Sequence, residues 1–439
     1  MTQVPREGEA PVTQTAGPVA SPRIARLIGA TSSDSPQMCE RAVTAFWDEV
    51  DRVGTPLVEP AGDGRCWVTF LWRSGVDDAG LDDPVEPVMV MGGPALWWQM
   101  SRNVLAPVPG TDILFRSYLV DDDLRGRYIL SPGDPLTDLP AAGTPESVIR
   151  AARFRPDPRN RSPLTLTADP ADPVAETGHY STFALPAATP RTWCEPRTGV
   201  PAGTLRCERL TSEALHNTRR VWIYRPPAPV AQDPIALVML DGRDWVEWMP
   251  LAATLDNLIA DGIVPPITVV LPEALDTATR YRELTANPDF TRFLADELLP
   301  WARKRAELPI DPSRMAVHGK SFGGLAAAAA ALTRPDLFGT VLSQSGSFWF
   351  TGWDGDTAEV LPSMAAGPGR PGAASDVRVS LDIGTLEGEA MLGSHQRMVD
   401  ALRAGGNSIR EHSYHGGHDI NCWISELPAA LRWWTEPLR

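Results

Sequence analysis

Long apolar runs are missing from this chain of 439 residues, since none reaches the ~18 residues that a helix needs to cross a bilayer. Cysteine is also scarce. The five cysteines show no C-x-x-C spacing and are scattered as Cys39, Cys66, Cys194, Cys207 and Cys422. An odd, scattered set predicts neither a disulfide framework nor a zinc site. The sequence therefore indicates a soluble protein, and neither a metal nor a cofactor is expected.

Basic residues are outnumbered by acidic ones, 40 to 55, which gives a formal net charge of −15. This balance argues against a nucleic acid or an anionic membrane surface as a partner. Residues 1–22 lack both a charged start with an apolar core and a cleavage pattern, so no secretory route is indicated. The expected location is the cytoplasm.

The most informative motif is G-x-S-x-G, formed by Gly319, Ser321 and Gly323. Residues 314–318 before it are predicted to be a buried strand, and the alanine-rich residues 325–333 after it a helix. A tight strand-to-helix turn strains the serine backbone and exposes its hydroxyl at the carboxyl edge of a sheet. Ser321 is therefore the predicted nucleophile, and the alternative is an incidental Gly/Ser turn.

Histidine is scarce too, with seven in the chain. In hydrolases with this turn the triad runs in the order serine, acid, histidine, so the base must follow Ser321. His395 is predicted at a helix start and His412 on a strand, and both are expected to be structural. Residues 414–423 form a glycine-containing loop after that strand. His418 in this loop is the predicted base, and His415 is the runner-up.

The acid that orients the imidazole is expected just beyond the strand that precedes the histidine strand. Residues 377–383 alternate as a strand, and residues 384–389 form the loop after it. Glu387 in this loop is the predicted acid. Asp382 lies within the strand, and Glu389 is expected to open the next helix. A Ser–His pair with a weakly placed acid is the alternative.

Acyl transfer also needs two backbone N–H groups to bind the oxyanion. One is expected from Phe322, the residue after the nucleophile. The other is expected from Arg243 or its neighbour, in the loop after the apolar strand at 234–240. Gly242 in this loop allows the backbone to approach closely.

Turn-forming residues divide the chain into three zones. Residues 1–37 are expected to be a disordered extension. Residues 38–185 contain a predicted helix at 39–53 and then short strands that suggest a small β-sandwich, ending in a long linker or irregular arm. Residues 186–439 are the predicted catalytic domain. Its helices alternate with strands expected at 205–210, 219–225, 235–240, 267–271, 314–318, 340–344, 377–383 and 409–414. This rhythm predicts an α/β fold with a mainly parallel sheet.

Several motifs occur together in one order: residues 240–245, 275–284, 319–324, 341–349 and 416–423, preceded by residues 46–59 and 68–72. Together they resemble the enterochelin esterases, which hydrolyse the trilactone backbone of catecholate siderophores after uptake. The resemblance covers nearly the whole chain from about residue 38. It implies an α/β-hydrolase preceded by a smaller β-rich domain. Two departures are Asp-Pro-Arg-Asn at 157–160, where Asp-Pro-Leu-Asn is expected, and residues 1–37, which have no counterpart.

A catecholate siderophore is anionic, so local positive charge must overcome the net charge of this chain. Arg243, Arg280 and Arg282 are predicted in loops near the carboxyl edge of the sheet. Arg280 and Arg282 are therefore candidate substrate-binding residues, and the alternative is surface arginines in ion pairs. His415 is assigned to the same set.

Fifteen tryptophans are an unusual number for one chain. Most are expected in the core, but Trp245, Trp349 and Trp423 flank the loops that carry the predicted chemistry. An aromatic wall there would stack on a catechol ring, and Trp349 is the preferred candidate.

The sequence thus predicts a serine esterase that cleaves lactone or ester bonds of a catecholate siderophore by acyl transfer to Ser321 and releases iron after uptake. His418 would take and return the proton, and Glu387 would hold the imidazole. The partner is the siderophore, iron-free or ferric, with iron as part of the substrate. The alternatives are an esterase, peptidase-like hydrolase or acyltransferase acting on another natural product, and a non-catalytic siderophore-binding protein. No oligomeric state is predicted.

Overall fold

A computed structural model describes residues 19–81, 85–96, 100–136, 145–172, 175–227, 233–352, 361 and 377–438. The chain divides into two compact units. The first comprises Met1–Thr165 and His179–Ala188, and the second comprises Leu166–Gly178 and Thr189–Arg439. The division predicted at residue 185 differs from this mainly in Leu166–Gly178, here called the arm, which belongs to the second unit.

The first unit begins with two helices, α1 (Pro22–Thr31) and α2 (Pro36–Val53). Proline suits the first turn of a helix because it lacks an N–H group, which has no partner there in any case. Ile24 and Leu27 of α1 are buried in one cluster with Trp47 of α2. The prediction that residues 1–37 are disordered is therefore wrong for α1, because its apolar side chains pack on α2. Residues 1–18 lie outside the described part of the chain.

Two four-stranded sheets make up the rest of the first unit, ordered β1-β2-β5-β4 and β3-β6-β8-β7. The strands are β1 (Leu57–Gly62), β2 (Arg65–Arg73), β3 (Met89–Gly92), β4 (Ala106–Pro107), β5 (Ile113–Asp121), β6 (Arg125–Ser131), β7 (Pro163–Leu166) and β8 (Gly178–Ala184), with helix α3 (Pro145–Ala151) between β6 and β7. The Phe70 ring of β2 meets the Tyr128 ring of β6 edge-on at 4.7 Å between centroids. This contact joins the two sheets. Their eight strands confirm the prediction that this part of the chain is rich in β-strands.

An eight-stranded sheet forms the centre of the second unit, in the order β16-β15-β14-β13-β11-β12-β10-β9. Its strands are β9 (Thr204–Ser212), β10 (Asn217–Arg225), β11 (Ile235–Met239), β12 (Ile267–Pro272), β13 (Met315–Lys320), β14 (Thr340–Gln344), β15 (Arg378–Gly384) and β16 (Ser408–Tyr414). The six strands from β11 to β16 pair in parallel, whereas β10 pairs antiparallel with β9 and β12. The predicted α/β fold with a mainly parallel sheet is confirmed.

Helices alternate with these strands: α4 (Gly242–Glu247), α5 (Leu251–Ala260), α6 (Thr277–Leu284), α7 (Pro288–Arg292), α8 (Leu299–Arg303), α9 (Phe322–Thr333), α10 (Glu389–Ala404) and α11 (Ile420–Thr435). A π-helical turn, Phe293–Leu298, joins α7 to α8. Gly323 to Leu332 of α9 are all buried. The run of alanines allows this helix to be buried on every side. Its first turn is therefore packed closely against the sheet.

The arm is attached to three elements of the second unit. Asp169 pairs with Arg220 of β10, and its carboxylate lies 3.2 Å from Nε of Arg243 in α4. Asp172 accepts a 3.0 Å hydrogen bond from the backbone N–H of Thr277, the first residue of α6. The arm therefore contacts both α4 and α6.

Candidate active site

The turn between β13 and α9 holds Ser321 at φ 57° and ψ −125°, a backbone conformation that residues with a side chain rarely adopt. A Cβ atom on Gly319 would lie 2.0 Å from the carbonyl oxygen of Gly323. A Cβ on Gly324 would lie 2.5 Å from Oγ of Ser343. These glycines are therefore required because the backbone on either side of the turn is closely packed.

A continuous chain of hydrogen bonds joins the three residues predicted as a triad. Nε2 of His418 lies 2.9 Å from Oγ of Ser321. Nδ1 of the same ring lies 2.8 Å from Oε2 of Glu387, which is buried. A carboxylate can only accept, so Nδ1 carries the hydrogen, and Nε2 is left to accept the serine proton. The arrangement is that of an activated nucleophile.

The second oxygen of Glu387 is also occupied. Oε1 accepts hydrogen bonds from Oγ of Ser345 at 2.5 Å and from the backbone N–H of Gly384 at 3.0 Å. Ser345 in turn accepts from Nε1 of Trp423 at 2.9 Å. Ser345 was missed by the sequence reasoning. The available signal was its position at the carboxyl end of β14, within the motif at 341–349.

Of the three tryptophans predicted to line the site, only Trp349 is exposed. Trp349 is 38 % exposed, and its ring lies 5.7 Å from that of Phe322. Trp423 is largely buried and meets the His418 ring edge-on at 4.9 Å. Trp245 is fully buried against His318, so the prediction that it can form an aromatic wall is wrong. Trp245 is the fourth residue of α4, and its indole faces the sheet because that helix packs directly on it.

The two predicted oxyanion donors both lie in the first turn of a helix. Phe322 is the first residue of α9, and Arg243 is the second residue of α4. Backbone N–H groups in a first helical turn have no partner within the helix and can bind an anion. A Cβ on Gly242 would lie 2.5 Å from the carbonyl oxygen of Leu271, so the start of α4 packs closely on β12. Arg243 therefore lies in a helix and not in the predicted loop.

The predicted substrate-binding arginines are also helical, because both lie on α6 and not in a loop. The Arg280 guanidinium donates to both carboxylate oxygens of Asp241, at 2.6 and 2.8 Å. The expectation that its charge is available to an anionic substrate is corrected, since Asp241 neutralises it. Arg282 is exposed and donates to Oγ1 of Thr279 at 3.2 Å. Its role in substrate binding stays a prediction.

Beneath the turn lies a group of four charged side chains, here called the charge quartet: Asp241, Asp244, Arg280 and Lys320. Nζ of Lys320 donates to Asp244 at 2.6 Å and to Asp241 at 3.3 Å. Burial alone would raise the pKa of Asp241, but the charges of Arg280 and Lys320 outweigh it and hold that pKa well below its ordinary value. Burial raises the pKa of Asp244, although Lys320 opposes the shift.

Two of the other candidate bases lie on secondary structure. His412 is on β16, with Nε2 3.0 Å from Oε2 of Glu426, as expected of a structural residue. His395 is buried in the second turn of α10 and not at the predicted helix start. The helix starts earlier because Glu389 opens its first turn, in agreement with the prediction for that residue.

The runner-up base and the alternative acid lie in the loop after β16 and within β15. His415 is half-buried in the loop after β16. Asp382 is buried within β15, where Arg410 of β16 pairs with it. The geometry therefore favours His418 over His415, and Glu387 over Asp382.

Comparison with known proteins identifies the family of this chain. Residues 212–434 match the family described as putative esterase, and residues 67–194 match the enterochelin esterase amino-terminal domain. The iron(III) enterobactin esterase of Dickeya dadantii is 34% identical over 419 residues, which are 92% of this chain and 95% of that protein. The chain belongs to the enterochelin esterase family. The resemblance inferred from the sequence motifs is confirmed.

Solved structures of enterochelin esterase family members share the fold over most of the chain. The ferric enterobactin esterase of Salmonella typhimurium has a TM-score of 0.73 at 28% identity, covering 90% of this chain and 99% of that one. The enterobactin esterase of Shigella flexneri, crystallised in the presence of enterobactin, has a TM-score of 0.71 at 26% identity, covering 90% and 98%. The structural similarity therefore includes both units, because neither unit alone spans 90% of the chain.

None of the helices in the described residues combines the length and apolarity needed to cross a membrane. The same part of the chain has no group of three or more His, Cys, Asp or Glu side chains arranged to hold a metal ion.

Proposed function

We propose that this member of the enterochelin esterase family is a serine esterase that hydrolyses the ester bonds of a catecholate siderophore trilactone. The hydrogen-bonded chain from Ser321 through His418 to Glu387 carries the proposal, because it supplies an activated nucleophile in an esterase fold. The substrate class is supported by relatives named iron(III) enterobactin esterase and by a similar structure obtained in the presence of enterobactin.

The reaction begins when Oγ of Ser321 attacks the ester carbonyl carbon while Nε2 of His418 accepts the hydroxyl proton. The carbonyl oxygen becomes an oxyanion, and the backbone N–H groups of Phe322 and Arg243 bind it. The tetrahedral intermediate then breaks its bond to the leaving alcohol, which receives the proton from His418. The products of this half-reaction are an acyl-Ser321 ester and a free hydroxyl group on the siderophore.

Water completes the cycle by acting as the nucleophile, and Ser321 is then the leaving group. His418 removes a proton from water, the hydroxide attacks the acyl carbon, and Oγ of Ser321 leaves with the proton returned to it. Glu387 accepts the hydrogen bond from Nδ1 and stabilises the imidazolium through it. One ester bond is cleaved per cycle and one water is consumed. Iron, where present, enters and leaves with the siderophore.

The nucleophile is tested by Ser321→Ala. Removing a single oxygen from a preformed turn should leave the fold and ligand binding intact but lower kcat by about three or more orders of magnitude. The purified parent and variant are incubated with iron-free and ferric trilactone, and the products are followed by mass spectrometry. Ordinary turnover by the variant would contradict the assignment of Ser321.

Two further measurements, fluorophosphonate labelling of Ser321 and hydrolysis of p-nitrophenyl acetate, separate the alternatives. Binding of the siderophore by the parent without any cleavage, together with no labelling of Ser321 by a fluorophosphonate, would indicate a non-catalytic binding protein. Labelling of Ser321 and hydrolysis of p-nitrophenyl acetate without cleavage of the trilactone would indicate an esterase for another substrate. The proposed function requires that the parent is labelled at Ser321, hydrolyses p-nitrophenyl acetate and cleaves the trilactone.

A further inference from the structure

The charge quartet lies where two helices begin. Asp241 directly precedes α4, and Lys320 directly precedes Ser321 at the start of α9. A Cβ atom on Gly323 would lie 3.0 Å from Oδ2 of Asp241, so this carboxylate also packs against the first turn of α9. The negative charge of Asp241 is therefore close to both N-terminal turns that are proposed to bind the oxyanion.

A carboxylate at this place would by itself oppose catalysis. The two helix N-termini attract an anion, and an uncompensated negative charge nearby would repel the oxyanion that forms in the transition state. The quartet contains two cations and two carboxylates, so its formal charge is zero. The quartet therefore places no net formal charge beside the two N-terminal turns.

Asp241 also has an unusual backbone. It adopts a left-handed conformation with φ 57° and ψ 45°, although it is not a glycine. Its side chain makes no capping bond to α4 and is directed instead to Arg280 and Lys320. The ion pairs therefore hold the turn that directs the first N–H groups of α4.

We propose that Lys320 and Arg280 are positioning residues of the oxyanion site. They hold the Asp241 turn and cancel its charge, so that the N–H groups of Phe322 and Arg243 meet the developing oxyanion without an opposing carboxylate. This inference rests on the proposed function. It assigns a role to the residue before the nucleophile, which touches neither the substrate nor the reacting atoms.

The inference makes a signed prediction, because charge and geometry can be changed separately. Lys320→Met leaves a net negative charge beneath the oxyanion and should lower kcat for p-nitrophenyl acetate by about 10- to 100-fold, with KM changed by less than about twofold. Lys320→Met combined with Asp244→Asn restores neutrality and should recover most of that loss. Lys320→Arg keeps the charge and should stay within about fivefold of the parent.

Arg150→Met is the matched control. It breaks a buried ion pair with Asp134, 2.8 Å long, in the first unit. It should lower Tm but leave kcat within about twofold of the parent. The folded fraction of every variant is measured by circular dichroism and active-site titration, so that a loss of folded protein is not counted as a loss of rate. If Lys320→Met does not fold, Lys320→Gln takes its place.

Four results decide the matter. A kcat for Lys320→Met equal to that of the parent overturns the inference, and so does a double variant slower than the single one. An equal effect of Lys320→Met and Arg150→Met on kcat would show an ordinary structural ion pair. If the parent itself hydrolyses neither p-nitrophenyl acetate nor the trilactone, the proposed function fails, and this outcome is distinct from the others.

Discussion

At the scale of single residues, the two histidines of the loop after β16 should differ sharply. His418 lies 2.9 Å from Oγ of Ser321, whereas His415 is half-buried elsewhere in the loop. His418→Ala should lower kcat for ester hydrolysis by about as much as Ser321→Ala, because the two residues act as a unit. His415→Ala should cost less than about tenfold. Steady-state kinetics with p-nitrophenyl acetate measures both, and the reverse ranking would exchange their roles.

The acid should show a smaller but distinct effect. Glu387→Gln keeps the shape of the side chain but presents an amide to Nδ1 of His418, which favours the wrong imidazole tautomer. The expected loss in kcat is about 10²- to 10⁴-fold, with little change in KM. Asp382→Asn is the comparison, because Asp382 pairs with Arg410 and not with His418. A larger loss for Asp382→Asn would move the acid to β15.

The sequence predicts the hydrogen-bonded residues Ser321, His418 and Glu387 because each of them carries a signal in the sequence. Ser321 lies in a glycine motif, and the order along the chain limits the histidine and the acid that can follow it. Lys320 carries no such signal, and Ser345 carries only its position at the end of a predicted strand. Their roles come from long-range contacts, Ser345 with Glu387 and Lys320 with Asp244, which no local pattern encodes.

At the scale of elements, strand β13 carries a histidine whose titration should affect stability. His318 is fully buried against Trp245, and burial lowers its pKa to about 4. The unfolded chain takes up a proton near pH 6.5, whereas the folded chain stays neutral until about pH 4. Stability should therefore fall as the pH is lowered through this interval, by roughly 3 kcal/mol.

The variant His318→Phe tests this expectation, since it removes the titrating group but keeps a ring in β13. Unfolding by urea is followed at several pH values for the parent and the variant. The parent should lose more stability than the variant between about pH 6.5 and 4. Parallel curves would mean that His318 is protonated in the folded state at an ordinary pKa.

The sequence predicts the elements of the second unit best where strands are apolar throughout. The strand predicted at 235–240 is β11, Ile235–Met239, to within one residue, because both faces of a central parallel strand are buried and its apolar run is continuous. Helix α6 was predicted as a loop, because its residues 277–284 are mostly polar and carry a weak helical pattern. The signal available for it was Asp276 at the N-cap position, where its carboxylate accepts a hydrogen bond from the backbone N–H of Thr279.

At the scale of the whole molecule, the net charge of −15 opposes an anionic substrate. Arg282 is exposed on α6, so it can act as a local cation. Arg282→Ala should raise KM for the siderophore by about three- to tenfold and leave KM for p-nitrophenyl acetate unchanged. Added salt should weaken siderophore binding in the parent more than in the variant. Equal losses on both substrates would place Arg282 in the architecture of the site.

The arm gives the chain a boundary in space that differs from its boundary in sequence. A shortened chain that begins at Thr189 would contain the whole eight-stranded sheet but would lack Asp169 and Asp172. Arg220 and Arg243 would lose a shared carboxylate, and the first turn of α6 would lose its acceptor. Gene truncation at the apparent domain junction would therefore loosen the two helices that carry Arg243 and Arg280. An independent catalytic fragment would have to retain the arm, for example through a circularly permuted chain.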